Sequence, residues 1–293
     1  MTTYQPAAYI VIENVPKGDL AMVVRDRKDG SAIVSTQEDH AELSSQFAAH
    51  WGNRRFTKLR PYESMVFATT YHDSGYREWE GTPPMNLEKG RPYGHREDPP
   101  SIEQTELEAY VRNIDWVRSH DPYAALLVSM HRTGLWKNRY QFFTSPKGRL
   151  RERSPETKAV MKDLESTQEK ERKSLGGANP RFEEQVWFNY HLLQVYDLLS
   201  LYFCCDGYDE DRFRETIIAP VPLAYDAKEE VELRIVPTEA NSVKIQPYPF
   251  DLSPLKFSVR ARIIPAGTFA SEEACRETYH KAPRVLLNFE IVD

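Results

Sequence analysis

Four predicted helices each carry ionisable residues on or beside an apolar face. The residues are His40, His72, Asp73, His131 and Asp197. Burying such a group without a partner is costly, so each must be hydrogen-bonded, kept neutral or bound to a metal ion. One residue of this kind is most simply a satisfied polar residue of the core. Several on successive helices favour a divalent metal site, because helix bundles build such sites from inward-facing imidazoles and carboxylates.

Helices are predicted around these residues because apolar side chains recur there every three or four positions. His40, for example, shares a face with Leu43 and Phe47. Asp197 shares one with Leu193. A proline- and glycine-rich stretch over 81–100 predicts a long irregular loop, of a length often used to line a site. Predicted helices cover 37–51, 61–80, 102–118, 154–175 and 181–205, with another beginning after Pro122.

β-rich runs lie on both sides of the helical stretch and predict strands. They cover 9–12, 21–24, 32–34, 216–218, 231–236, 243–245, 255–264 and 285–292. Strands, then helices, then strands again are typical of an α+β fold. We therefore expect N-terminal strands in 1–36, a helical metal-binding core in 37–206 and a β region in 207–293. The two β regions are expected to pack together as one domain.

The order of the ionisable residues resembles a known pattern. A histidine (His40), a His-Asp pair (His72, Asp73) and a late aspartate (Asp197) resemble the H…HD…D pattern of the HD-domain metal-dependent phosphohydrolases. The sequence also resembles a microbial family known only as a domain of unknown function, in the segments QEDH (37–40), WG (51–52), HDSGYREWE (72–80), PP (83–84), GRP (90–92) and YDLLSLY (196–202). The resemblance covers most of 36–202. It implies an all-helical HD-like core flanked by strands.

The resemblance implies that one divalent metal ion is bound by four residues, His40, His72, Asp73 and Asp197. The ion itself stays open among Mn, Fe, Ni, Zn and Mg. His131 is then a fifth ligand, a ligand of a second metal or a phosphate contact. His191 is a poor ligand on geometric grounds. Six residues separate it from Asp197, about 600° of helical rotation, so the two side chains point about 120° apart.

Three further residues are candidates for catalysis or substrate binding. Glu80 follows Asp73 by two helical turns, so it can orient a metal-bound water or act as general base. Alternatively, Glu80 is a solvated charge at the end of the helix and takes no part in catalysis. Arg77 lies one turn after Asp73 and either binds a substrate phosphate or pairs with that aspartate. Arg91, in the long loop, is the candidate for a lid over the substrate.

Composition limits the partners. There are 38 Lys and Arg residues against 44 Asp and Glu, a formal charge of −6, which argues against general nucleic-acid or anionic-membrane binding. No apolar run is long enough for a membrane span, and residues 1–15 lack a signal-peptide pattern. Cys204, Cys205 and Cys275 form no disulfide or zinc pattern and are interpreted as packed thiols in the reducing cytoplasm. His95 has no supporting pattern and is expected in a loop or at the surface.

These expectations favour a metal-dependent hydrolase. A metal-activated water would attack a phosphoester or a related anionic small molecule. One alternative is a di-iron oxygenase, which needs one more histidine than the sequence places with its other ligands. The other is a metal- or ligand-binding domain without turnover, because fold does not fix function. Bound metal per chain and turnover distinguish the three.

Overall fold

A computed structural model describes residues 22–95, 97, 102–136, 154–226 and 228–293. The predicted strand at 9–12 lies outside these residues. The helices are α1 (Gln37–Ala49), α2 (Tyr62–Tyr71), α3 (Arg77–Glu80), α4 (Ile102–His120), α5 (Pro122–Trp136), α6 (Pro155–Gly176), α7 (Pro180–Leu201) and α8 (Glu272–Lys281). The strands are β1 (Val23–Asp26), β2 (Ala32–Ser35), β3 (Met85–Asn86), β4 (Arg91–Pro92), β5 (Tyr208–Asp209), β6 (Arg212–Phe213), β7 (Thr216–Pro222), β8 (Glu230–Glu239), β9 (Ser242–Gln246), β10 (Leu255–Ile264) and β11 (Arg284–Val292).

Local sequence sets the starts of the helices. The Thr36 hydroxyl accepts the backbone N–H of Asp39 at 2.9 Å and caps α1. Ser154 caps α6 in the same way, and a proline occupies the first turn of both α6 and α7. Such residues satisfy or remove the N–H groups that a helix start leaves without partners. The helix starts at Gln37, Ile102 and Pro122 agree with the sequence-based predictions.

The helix predicted over 61–80 is broken in the middle. α2 ends at Tyr71, a short 3₁₀ turn covers Ser74–Tyr76, and α3 follows. Gly75 lies against α4, and a Cβ there would collide with the carbonyl oxygen of Ala109. The Asn113 side chain donates to the freed carbonyl oxygens of Tyr71 and His72. Close packing of α4 therefore favours the break.

Within the described residues, seven strands form one curled sheet in the order β1-β2-β10-β11-β9-β8-β7. β2 pairs with β10, so strands from the two ends of the chain share this sheet. The β11–β9 pair is parallel and the other pairs are antiparallel. Two separate hairpins are formed by β3 with β4 and by β5 with β6. α8, after β10, was not predicted from the sequence.

The expected all-helical core is wrong, although the fold is mixed α+β. α1 and α7 pack on the sheet, and residues from both enter one hydrophobic core. The Phe47 ring of α1 lies 4.9 Å from the Phe257 ring of β10, between centroids. Phe203, just after α7, lies 5.4 Å from Phe289 of β11. One face of a sheet must be buried against another element, and here these helices cover it.

Among the described residues, none of the helices combines the length and apolar character needed to cross a membrane.

Candidate metal centre

Five ionisable residues from four helical regions meet in the interior. His40 lies on α1, His72 directly follows α2, Asp73 starts the turn after it, His131 lies on α5 and Asp197 on α7. The three histidines are at most 1% exposed, and the two aspartates 6–7%. We call these five residues the central cluster. The structure thus brings together the four residues expected as metal ligands and His131.

The cluster atoms that approach one another are the Nε2 atoms of the histidines and the carboxylate oxygens. His40 Nε2 lies 3.1 Å from Asp73 Oδ2 and 3.7 Å from Asp197 Oδ1. His72 Nε2 lies 3.5 and 3.6 Å from the same two oxygens. Two N or O ligands at about 2.1 Å from one ion lie roughly 3.0–3.4 Å apart, depending on the coordination geometry. Ligand atoms that all lie within 4.8 Å of one another form two groups, His40 with His72 and Asp73, and His72 with His131 and Asp197. This spacing fits a divalent ion in the cluster, and the side chains must move slightly closer for four of them to bind one ion.

The hydrogen bonds of His40 fix which ring nitrogen carries its proton. His40 Nδ1 lies 2.6 Å from Ser200 Oγ. The Ser200 hydroxyl donates its own proton to the carbonyl oxygen of Asp197 at 2.7 Å, so Oγ accepts from Nδ1–H. In the neutral ring, Nε2 then presents a lone pair to the carboxylates. That is the tautomer a metal ligand requires.

In His72, a backbone carbonyl oxygen fixes the same placement of the proton on Nδ1. Its Nδ1 lies 2.8 Å from the carbonyl oxygen of Thr69, which can only accept. Its Nε2 is buried and has no hydrogen-bond partner among the described residues. Lone pairs of His40 and His72 facing carboxylates repel each other unless a proton or a metal cation lies between them. The orphaned Nε2 and the donor set therefore fit a bound divalent ion.

The charges of the cluster favour a cation at its centre. Burial opposes the charged form of His72, but Asp73 and Asp197 outweigh it and raise its pKa to about 9. Burial would raise the pKa of Asp73, yet His72 and His40 hold it well below its usual range. Burial acts in the same way on Asp197, and the neighbouring imidazoles of His72, His131 and His40 lower its pKa below the usual value. Both carboxylates are therefore anionic at neutral pH.

His131 differs from the other two histidines. Gln194 Nε2 lies 2.5 Å from its Nδ1, and an amide nitrogen donates, so the neutral ring carries its proton on Nε2. That atom lies 3.9 Å from Asp197 Oδ2. Burial lowers the pKa of His131 to about 4, which keeps the ring neutral. In this state His131 offers an N–H donor at the edge of the cluster, as a phosphate contact requires.

The candidate base Glu80 is engaged elsewhere. Its Oε1 accepts the backbone N–H groups of Gln37 at 2.5 Å and Glu38 at 3.2 Å. Glu80 thus caps the start of α1, the helix that carries His40. Burial raises its pKa to about 7, although these two hydrogen bonds act in the opposite direction.

The two candidate arginines, Arg77 and Arg91, form their ion pairs with residues outside the central cluster. Arg77 pairs with Glu38 rather than with Asp73, and it is largely exposed. Arg91 is buried and forms paired hydrogen bonds with Asp26 and Glu97, 2.5–2.9 Å long. It anchors the loop after β4 instead of forming an exposed lid.

The sequence-based reasoning missed several residues that hold the cluster in place. Ser200 and Gln194 lie three residues after and before Asp197 on α7, a spacing that places them beside it and could have identified them. The Tyr110 hydroxyl donates to Asp73 Oδ1 at 2.6 Å. The Arg132 guanidinium stacks on the Tyr110 ring, 3.2 Å from its centroid. Tyr110 lies on α4, and no local pattern pointed to its contact with Asp73.

The sequence matches a protein family over residues 22–266, which is more than four fifths of the chain and includes the whole central cluster. The family is described as "Protein of unknown function (DUF3891)". Comparisons with curated proteins and with solved structures give no match. The chain belongs to the DUF3891 family.

Proposed function

We propose that the chain is a metal-dependent hydrolase that acts on a phosphoester or a related anionic small molecule. The observation that carries the proposal is the pair of anchored imidazoles, His40 and His72. Each has its Nδ1 proton held by a fixed acceptor and its Nε2 directed at two buried carboxylates, where a metal ion can take the place of a proton. The H…HD…D order, which resembles HD-domain phosphohydrolases, supports hydrolysis as the reaction.

Four side chains would hold the ion, namely His40, His72, Asp73 and Asp197. A bound divalent ion supplies a Lewis acid and lowers the pKa of a coordinated water toward neutrality. Tyr110 fixes one oxygen of Asp73 by its hydroxyl donor, which leaves the other oxygen directed at His40. The contacts of Ser200 and Thr69 keep both imidazoles in the ligating tautomer and orientation.

His131 would bind the substrate rather than the metal. Its Nε2–H points toward the cluster, and its low pKa keeps the ring neutral at pH 7. A neutral N–H donor can hydrogen-bond to a phosphoryl oxygen without competing for the cation. A cytoplasmic location is part of the proposal, since none of Cys204, Cys205 and Cys275 is in a disulfide bond, as is common in reducing compartments.

Elemental analysis of three variants, with turnover on a panel of phosphoesters, tests the proposal. We expect His72→Ala and Asp197→Ala each to bind about one equivalent of divalent metal less than wild type and to lose turnover. His191→Ala is the matched control, because it removes an imidazole from α7 that is outside the cluster, and it should retain both. Full metal retention in the first two variants would disprove the ligand set.

The same measurements separate the alternatives. Two irons per chain together with oxygen consumption would favour the di-iron oxygenase over the hydrolase. Loss of one ion in the His72 and Asp197 variants, with no turnover of any phosphoester by wild type, would leave a metal-binding domain without hydrolysis.

A further inference from the structure

A second group of metal-binding side chains lies outside the central cluster. His95, Cys205 and Asp206 line a cleft of about 410 Å³ between β1, the loop after β4 and the end of α7. One ligand atom from each lies within 4.8 Å of the others. We call this group the His95 cleft. It shares no residue with the central cluster.

The end of α7 presents two of these side chains through unusual backbone geometry. Tyr202–Asp206 forms a single π-helical turn. Such turns are rare overall, and those that occur are often at functional sites. Cys204 is buried in the core, where burial raises the pKa of its thiol to about 12. The neighbouring Cys205 is only half-buried and faces the cleft. The turn therefore directs one of two adjacent thiols into the cleft.

His95 is held in place by its backbone, while its ring lacks hydrogen bonds. Its N–H donates to the carbonyl oxygen of Met22 at 2.8 Å. Both ring nitrogens are buried and have no hydrogen-bond partner among the described residues. Nε2 lies 3.9 Å from Asp206 Oδ2, too far for a hydrogen bond. Leaving such atoms unsatisfied is unfavourable, and an ion between His95 and Asp206 would remove that cost.

Most of the charged side chains that line the cleft are paired. Its lining includes two cationic side chains, Arg25 and Lys89, against four carboxylates, Asp26, Glu97, Asp206 and Glu210. Arg25 lies over the Tyr208 ring, 3.6 Å from its centroid. Lys89 pairs with Glu97 and Asp26. Arg91 also pairs with Asp26 and Glu97, and Lys28 pairs with Glu210. The types of donor atom in the cleft, rather than its net charge, therefore decide which ligand it favours.

We propose that His95, Cys205 and Asp206 form a second metal site, which binds a thiophilic divalent cation of the Zn²⁺ type. Imidazole, thiolate and carboxylate together are the donors of zinc sites, whereas Mg²⁺ and Ca²⁺ prefer oxygen donors alone. Binding releases the Cys205 thiol proton to solvent as the thiolate ligates the ion. Three protein ligands leave the remaining coordination to water from the cleft.

Cobalt substitution in the full chain tests this site separately from the central cluster. Co²⁺ added to metal-free protein should produce the near-ultraviolet charge-transfer absorption of a cobalt–thiolate bond. The central cluster contains no sulfur and cannot produce it. The absorption should disappear in Cys205→Ser, and His95→Asn should weaken Co²⁺ binding about tenfold. His72→Ala and Cys275→Ser are the controls and should retain it. No absorption in wild type, or its persistence in Cys205→Ser, would overturn the proposal.

A second measurement needs no substitution. Zn²⁺ should slow alkylation of Cys205 by iodoacetamide by about tenfold, because a ligated thiolate is protected. Mg²⁺, which prefers oxygen donors, is the control and should leave the rate at Cys205 unchanged. Equal rates at Cys205 with and without Zn²⁺ would show that His95 and Asp206 form no more than a long ion pair. The result does not depend on whether the central cluster binds metal.

Discussion

The central cluster and the His95 cleft offer similar donor atoms but hold them in different ways. The side chains of the central cluster project from α1, α5 and α7 and from the end of α2, and each imidazole has its Nδ1 fixed by a neighbour. The cleft ligands come from a loop and a π turn, and neither ring nitrogen of His95 has a hydrogen-bond partner among the described residues.

This difference has consequences for binding. Ligands on packed helices are preorganised, so little conformational freedom is lost when an ion binds. In the His95 cleft the side chains must move closer around the ion, which reduces affinity. We therefore expect tight binding at the central cluster and weaker, exchangeable binding in the cleft.

The largest expected effect is on stability. Chelation should lower the free energy of unfolding of wild type by about 4 kcal/mol, for an ion present at roughly 1,000 times its Kd. Cys205→Ser should lose almost as much on chelation, because the central cluster dominates. His72→Ala should lose much less. Urea unfolding with and without chelator measures this. A loss in His72→Ala as large as in wild type would place the stabilising ion elsewhere.

The second effect concerns the partners that orient the cluster. Tyr110→Phe removes the donor to Asp73 and should weaken metal binding about 10- to 100-fold. A chelator competition titration measures the affinity. Tyr123→Phe is the matched control, since that buried hydroxyl accepts from Asn189 instead of contacting the cluster. Equal affinities for the two variants would contradict the role of Tyr110.

The third effect is a pH dependence of stability caused by Glu80, which caps α1 and is not a proposed metal ligand. The pKa of Glu80 is raised to about 7 from 4.5. The folded chain therefore binds its proton more tightly, and the stability gained is complete below the unfolded pKa and lost as pH rises through the folded one. From about pH 5 to pH 8, wild type should lose on the order of 2 kcal/mol more than Glu80→Gln.

Urea unfolding at both pH values measures this loss. Glu78→Gln, at an exposed position of the same helix, should keep the wild-type pH dependence. Unchanged metal content and turnover in Glu80→Gln would agree with its capping role. Loss of turnover at full stability would instead support the general base expected from the sequence.

The smallest effect is expected in the His95 cleft. Arg91→Lys removes the paired hydrogen bonds to Asp26 and Glu97 that anchor the cleft loop, and a lysine cannot replace them. Zn²⁺ affinity of the cleft should fall by roughly threefold to fivefold, while metal in the central cluster is unchanged. Arg234→Lys, which alters an exposed pair with Glu215, is the control. Unchanged zinc affinity would show that Arg91 is not needed.

How far the sequence could predict the molecule depends on the kind of signal. The helix starts at Gln37 and Pro122 could be predicted because the change of hydrophobic period after Thr36 and the proline signal are both local. The break after Tyr71 was not, because it depends on Gly75 meeting α4. The all-helical core was wrong since periodicity shows which face of a helix is apolar but not whether a helix or a sheet covers it.

The sequence by itself determined the residue types and most of the elements. It places His40, His72, Asp73 and Asp197 where burial demands a partner, and it excludes His191 by helical geometry. Only the tertiary structure decided which atoms meet. It set the imidazole tautomers through hydrogen bonds to Ser200 and to the Thr69 carbonyl oxygen. It also placed Glu80 at the start of α1, paired Arg77 with Glu38, and brought His95 close to Cys205. Contacts between distant segments depend on packing and hydrogen bonding across elements, which no local pattern encodes.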